Sequence, residues 1–233
     1  MTIFKCLSFI SYTISAWPLP TIPFPSYGWY RADSDHWDIG AKILYDMSGN
    51  GNHATTGGAI SLESASGSGA TASIQYLTGD TSGTILWPSG SIPSFFTICS
   101  ITRYVEGGKM VRILTATTID WLHGHFKSKR GVAYYEGWKT VEEKSIGVLT
   151  NWVVICGKNV GTFPKNILVD GIASGVVEGG LGFSVLCINL GKYREDDSDW
   201  AFRELMIWNT ALSDAEMAVA STALQTSLLY GQV

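Results

Sequence analysis

The sequence predicts an all-β domain, a two-sheet antiparallel jelly-roll sandwich closed by one short C-terminal α-helix. Three observations carry that expectation. Short runs rich in Ile, Val, Thr, Phe, Tyr and Trp recur from Tyr27 onward between Gly, Ser, Asn and Asp clusters, the pattern of half-buried strands joined by turns. Charged residues are only 15% of the chain against 12% aromatic, with nine Trp and 26 Gly, which suits tight turns around a large aromatic core. Helical spacing of apolar residues appears only at the C-terminal end.

The 233 residues suffice for one large β domain, and no linker separates two cores. Residues 1–26 read as a leader and residues 27–233 as the domain. Met1 to Ala16 carries one Lys and a thin apolar stretch, Cys6 to Ile10; as a signal peptide it is poor, and a secretory reading would place cleavage after Ala16. Trp17 to Pro25 holds four of the seven prolines, which fix φ and remove donors, so it should be extended and unpaired. Gly57–Ser73 and Gly79–Ser94 read as spacers, with Ile85-Leu86-Trp87 a short edge strand. The clearest strands are Phe95–Arg103, Trp152–Cys156, Ile167–Val169, Phe183–Leu190 and Phe202–Trp208, each β-branched or aromatic and bounded by turn residues. Asp170-Gly171 between two apolar runs is a hairpin turn, because both positions tolerate positive φ. At Leu212-Ser213-Asp214-Ala215-Glu216-Met217 a capping box and an apolar staple start the helix. Met217, Ala220, Leu224 and Leu228 then share one face, and Gly231 is the stop.

Charge and apolar patterning exclude two classes of partner. The formal net charge is −4, and Lys127-Ser128-Lys129-Arg130 is the one basic cluster, which argues against nucleic acid, whose phosphates require a basic footprint. No apolar run approaches the roughly 20 residues needed to cross a bilayer. Of Cys6, Cys99, Cys156 and Cys187, the last three sit in apolar strand-like runs and read as small buried hydrophobes. No CxxC pair is present, so zinc is disfavoured, and nothing in the spacing requires a disulfide.

Three ordered segments resemble the laminin-G-like/concanavalin A-like lectin and glucanase superfamily. They are Tyr45-Asp46-Met47-Ser48-Gly49-Asn50-Gly51-Asn52-His53-Ala54, the Leu168-Val169-Asp170-Gly171 hairpin after the Trp152 strand, and Gly191-Lys192-Tyr193 followed by Phe202 to Glu216. Together they cover roughly residues 27–220. The resemblance implies two antiparallel sheets, binding loops along one edge, glycan ligands and, in some members, calcium. The compartment is left open by the sequence, with an extracellular or cell-surface setting favoured.

The residues themselves bear on chemistry. Relatives that hydrolyse β-glucans show E-x-D-x-x-E on one strand; the nearest match, Glu195 to Trp200, puts Trp200 where the third acid belongs. Sugars stack apolar C–H faces on aromatic rings, and their hydroxyls seek polar partners. Trp121, His123, His125, Arg130, Tyr135, Glu136 and Trp138 are therefore the candidate ligand-binding residues, with Tyr134 beside them. Strand alternation should send half of these rings inward, and one of Tyr134 and Tyr135 should face out. Asp46, Asn50 and Asn52 offer hard oxygens for calcium. The reading that follows is a non-catalytic, lectin-like module binding a glycan or glycoprotein. The alternatives are a module for a protein partner, and a polysaccharide-cleaving enzyme using the His/Tyr/Glu cluster.

Overall fold

The computed structural model describes residues 22–142 and 144–231. The expectations for residues 1–21, including Cys6, lie outside the described residues. The described strands begin with β1 (Gly28–Arg31), β2 (Trp37–Asp38), β3 (Ile43–Leu44), β4 (Ala54–Gly57), β5 (Ile60–Gly67) and β6 (Ala70–Gly79). They continue with β7 (Thr84–Leu86), β8 (Thr97–Tyr104), β9 (Leu114–Ala116), β10 (Trp121–Phe126), β11 (Lys129–Tyr135) and β12 (Val153–Lys158). Last come β13 (Ile167–Val169), β14 (Ile172–Ala173), β15 (Leu186–Ile188), β16 (Trp200–Trp208) and the helix α1 (Asp214–Tyr230).

These strands form the expected sandwich of two antiparallel sheets with a single C-terminal helix. The first sheet runs β14-β13-β12-β8-β16-β6-β5, with β1 also paired to β16; the second runs β11-β10-β9-β15-β7-β4-β3-β2. Between them lies the main core, where Tyr30, Trp87, Phe96, Tyr104, Trp121, Tyr135, Trp200 and Phe202 interlock. A second core lies on the outer face of the first sheet. There Ile101, Val154, Met206 and Trp208 meet Met217, Ala220, Leu224 and Leu228 of α1. Strands β8, β12 and β16 are thus covered on both faces, and for this reason apolar residues occur at both alternating positions along them.

Helix α1 begins as its sequence dictates. Ser213 Oγ accepts from the Glu216 amide and the Glu216 carboxylate accepts from the Ser213 amide, closing the capping box. Buried Lys158 reaches the Leu212 carbonyl and the Asp214 carboxylate, fastening the helix start to β12. Gly231 ends the helix at φ 73°, a conformation that costs glycine little. The Asp170-Gly171 turn joins β13 to β14 with both residues at positive φ.

Three expectations are corrected. Residues 57–73 are not a spacer: most of them form β5 and the start of β6, two of the longest strands. Strand β5 is an exposed edge, so Ser, Gly and Ala suffice where the partner strand supplies the hydrogen bonds. Strand β7 is not at an edge but lies between β15 and β4. Cys99 and Cys156, directly opposite on β8 and β12, are joined as a disulfide, while Cys187 is a buried free thiol.

One irregularity shapes a surface feature. Strand β16 pairs with β6 only through Trp200–Phe202 and with β1 only through Glu204–Ile207. A bulge in its pairing to β8 falls at the same place, so Arg203 sits where β1 and β6 diverge into a fork.

Candidate functional site

The region from 121 to 138 folds as the hairpin β10–β11, with Trp121 opposite Tyr135 and His123 opposite Ala133. Its turn, Lys127-Ser128, holds both residues at positive φ. Alternation then divides the side chains between two faces.

The inward set is withdrawn from solvent, which corrects the expectation that it forms a sugar platform. Trp121, His123, His125 and Tyr135 are fully buried. The rings of Trp121 and Tyr135 stack at 5.0 Å, with His123 stacked beside both. His123 Nδ1 lies 2.7 Å from the Tyr135 hydroxyl and its Nε2 lies 3.2 Å from the Ile155 carbonyl on the opposite sheet. Burial holds His123 down to a pKa of about 4, so the ring is neutral near pH 7. His125 approaches Thr102 Oγ1 at 3.4 Å and the Tyr104 ring at 4.5 Å. Burial, then the Arg130 charge, hold its pKa well below the usual histidine value. Neither ring is placed to touch a ligand, and among the described residues no three His, Cys, Asp or Glu converge as a metal site.

Arg130 is also interior. Its guanidinium donates to the carbonyls of Ile146, Asn151 and Trp152 and pairs with Asp170 at 2.8 Å. It ties the hairpin to the first sheet and has little left to offer a ligand. A close fit accompanies this packing: a Cβ at Gly157 would collide with the Tyr135 hydroxyl.

On the outward face Leu122, Phe126 and Val132 form a small buried cluster, and two rings at its margin stay partly open to solvent. Tyr134 and Trp138 are half-buried and Glu136 is exposed. The Tyr134 and Trp138 rings meet edge to face at 5.3 Å, and Trp138 lies 5.6 Å from Phe126. Glu136 Oε1 accepts from the Asp120 amide. Arg112 pairs with Asp120 at 2.6 Å and Asp196 at 2.8 Å, and its guanidinium lies 5.1 Å from each of the Phe126 and Tyr193 rings. Burial, then the charges of Asp120 and Glu136, raise the pKa of Tyr134, so its hydroxyl stays protonated and able to donate. The sequence reading missed Arg112, Asp120 and Tyr193, which come from separate loops. Tyr134 was legible as one of two adjacent tyrosines, of which alternation selects one.

The calcium candidates form a different kind of site. Asp46 Oδ1 accepts from the amides of Trp29 and Ser48, and Oδ2 from Ser48 Oγ and the Asn52 amide. These four donors occupy the lone pairs a cation would need, and together they hold the Asp46 pKa below its ordinary value against the opposing effect of burial. The Asn50 and Asn52 side-chain amides donate to the Tyr27 carbonyl. The turn is therefore a hydrogen-bonded clasp around Asp46 that anchors β1. The acidic loop is likewise engaged: Asp196 pairs with Arg112 and Asp199 Oδ2 accepts from the Lys109 amide.

No protein-family model matches the chain, and no curated protein sequence matches it. Solved structures do share its fold. Domain 4 of AbnA, a GH43 extracellular arabinanase from Geobacillus stearothermophilus solved with arabinotriose, is 12% identical at a TM-score of 0.55, over 82% of this chain and 95% of that one. A structure described as HCR/D-Sa-GBL1/C is 14% identical at 0.54, over 87% of this chain and 52% of that one. Trypanosoma rangeli sialidase with sialic acid is 14% identical at 0.51, over 87% of this chain and 33% of that one. The chain thus corresponds to nearly all of the first and to about half and a third of the others. At such identities the likeness is one of fold, a β-sandwich of the kind found in these proteins.

Proposed function

We propose that this domain is a non-catalytic, laminin-G-like carbohydrate-binding module, and that its sugar lies across Tyr134, Glu136 and Trp138. The observation that carries the reading is the pair of rings at 5.3 Å on the outer side of β10–β11 with the Asp120 and Glu136 carboxylates beside them. A pyranose can lay its C–H face on Trp138 while its hydroxyls donate to the carboxylates. The solved arabinanase domain with arabinotriose lends support, since a sandwich of this shape there accompanies a sugar. A catalytic reading loses support because the two histidines that would act as bases are buried.

A glycan array with the purified domain, run with calcium and with chelator, tests the proposal. Retained glycans should lose about tenfold or more in affinity in Trp138→Ala and Tyr134→Ala. An array that retains nothing in either condition overturns it.

One observation favours a protein ligand instead. Phe95, Phe163, Leu181 and Phe183 are each more than half exposed, and Asn159 bonds the Ser94 and Gly180 carbonyls, tying two of their loops together. Exposed apolar clusters mark protein contacts. A protein ligand of that kind would be lost in Phe183→Ser and kept in Trp138→Ala.

A further inference from the structure

The fork between β1 and β6 opens into a polar cavity of about 460 Å³ lined by Arg31, Asp33, Asp35, Ser73, Gln75 and Arg203. That volume lies within the range of small-molecule sites. Its floor is electrostatically unusual. Arg203 is 4% exposed, yet among the described residues no carboxylate lies within ion-pairing distance of it. Its Nη1 donates to the Ala32 carbonyl at 3.3 Å and the Gln75 carbonyl at 3.0 Å, and its Nε has no partner. Neighbouring Arg31 is already neutralised by buried Glu204 at 3.0 Å. Burial without a contacting carboxylate is costly for a guanidinium, the charges of Glu204 and Asp33 offset that cost only from a distance, and an anion in contact would relieve more of it.

The remaining lining groups suit a hydroxylated ligand. Gln75 spends Oε1 on the Ser34 amide, which leaves its amide nitrogen as a donor. Asp33 spends Oδ1 on Asp35 and His36, which leaves Oδ2 as an acceptor, and exposed Asp35 adds a second carboxylate at the wall. The same cavity wall thus carries the Arg203 guanidinium and the Gln75 amide as donors and the Asp33 and Asp35 carboxylates as acceptors.

We infer that the fork cavity binds a sugar acid, with the ligand carboxylate on Arg203 and its hydroxyls on Asp33, Asp35 and Gln75. This site shares no residue with the Tyr134–Trp138 surface and stands whether or not that surface binds glycan. Calorimetric titration of the full chain with D-glucuronate and D-galacturonate tests it, with D-glucose and acetate as partial ligands. One saturable site is expected for a sugar acid, weakening as salt is raised, with glucose and acetate each weaker by about tenfold or more. Ser73 is exposed on the cavity wall, so Ser73→Trp should fill the space, abolish binding and leave the circular dichroism spectrum and thermal midpoint unchanged. Arg203→Lys, which keeps the charge but not the planar fork, should weaken binding about tenfold. No saturable binding of either sugar acid, undiminished binding in Ser73→Trp, or acetate binding as tightly as the sugar acids would each overturn the inference.

Discussion

His123 and His125 stand two residues apart on β10 and both rings lie between the sheets, where the main constraint on them is protonation. The folded-state pKa of His123 is about 4, that of His125 is well below its usual value, and burial is the largest cause for both. An unfolded histidine titrates near 6.5, so between about pH 6.5 and 4 the unfolded chain binds protons that the native state refuses. Stability should therefore fall as pH drops through that window, by about 3 kcal/mol from His123 alone. Depressed carboxylates such as Asp46 and Asp214 act in the same direction but only nearer pH 4. Urea midpoints at pH 7, 6 and 5 measure the effect. His125, whose Nε2 has no partner, offers the cleaner variant: His125→Leu should be flatter across the window, and a wild-type midpoint constant from pH 7 to 5 would contradict the account.

Elements differ in how much of their structure is local. Helix α1 was legible because its cap, staple, apolar face and stop all lie within twenty residues of sequence and agree with one another. Strands β8, β12, β13 and β16 were legible because both their faces are buried, so that β-branched and aromatic residues occur on both. Strands β5 and the start of β6 were not, since their order comes from pairing and not from β-rich composition. The Cys99–Cys156 link belongs with the unreadable features: a separation of 57 residues carries no register, and only the β8–β12 pairing sets the two opposite. A non-reduced digest should hold the Cys99 and Cys156 peptides together. Closing so long a loop stabilises by about 2–4 kcal/mol, so Cys99→Ala/Cys156→Ala should unfold at correspondingly lower urea, whereas Ser213→Ala should cost only about 1 kcal/mol. If the peptides separate without reductant, the two strands are held by their ladder alone.

Across the whole molecule, an aromatic residue's neighbours decide whether it supports the sandwich or meets a ligand, and sequence proximity does not. Trp121 and Trp138 bracket one hairpin, and both read as sugar platforms when only their residue type and spacing are considered. The second sheet separates them. Trp121 points at Phe96 and Tyr135 in the core, while Trp138 lies outside against Phe126 and Tyr134. The outer face of the first sheet is covered by α1, and that of the second is crossed near β9 by the segment carrying Gly191 and Lys192. The Phe126–Tyr134–Trp138 side lies beyond that cover. Half of the candidate site was thus fixed by alternation, which the sequence displays. The other half depended on which long-range loops supply Arg112, Asp120 and Tyr193, and no spacing records that. The two tryptophans should separate in paired measurements of stability and binding. Trp121→Ala leaves a large void between the sheets and should cost about 3–5 kcal/mol. Trp138→Ala should cost about 1 kcal/mol or less while removing the glycan retention proposed for the folded domain. If Trp138→Ala unfolds the domain as readily as Trp121→Ala, the outer rings are a third piece of core and the hairpin has no ligand face.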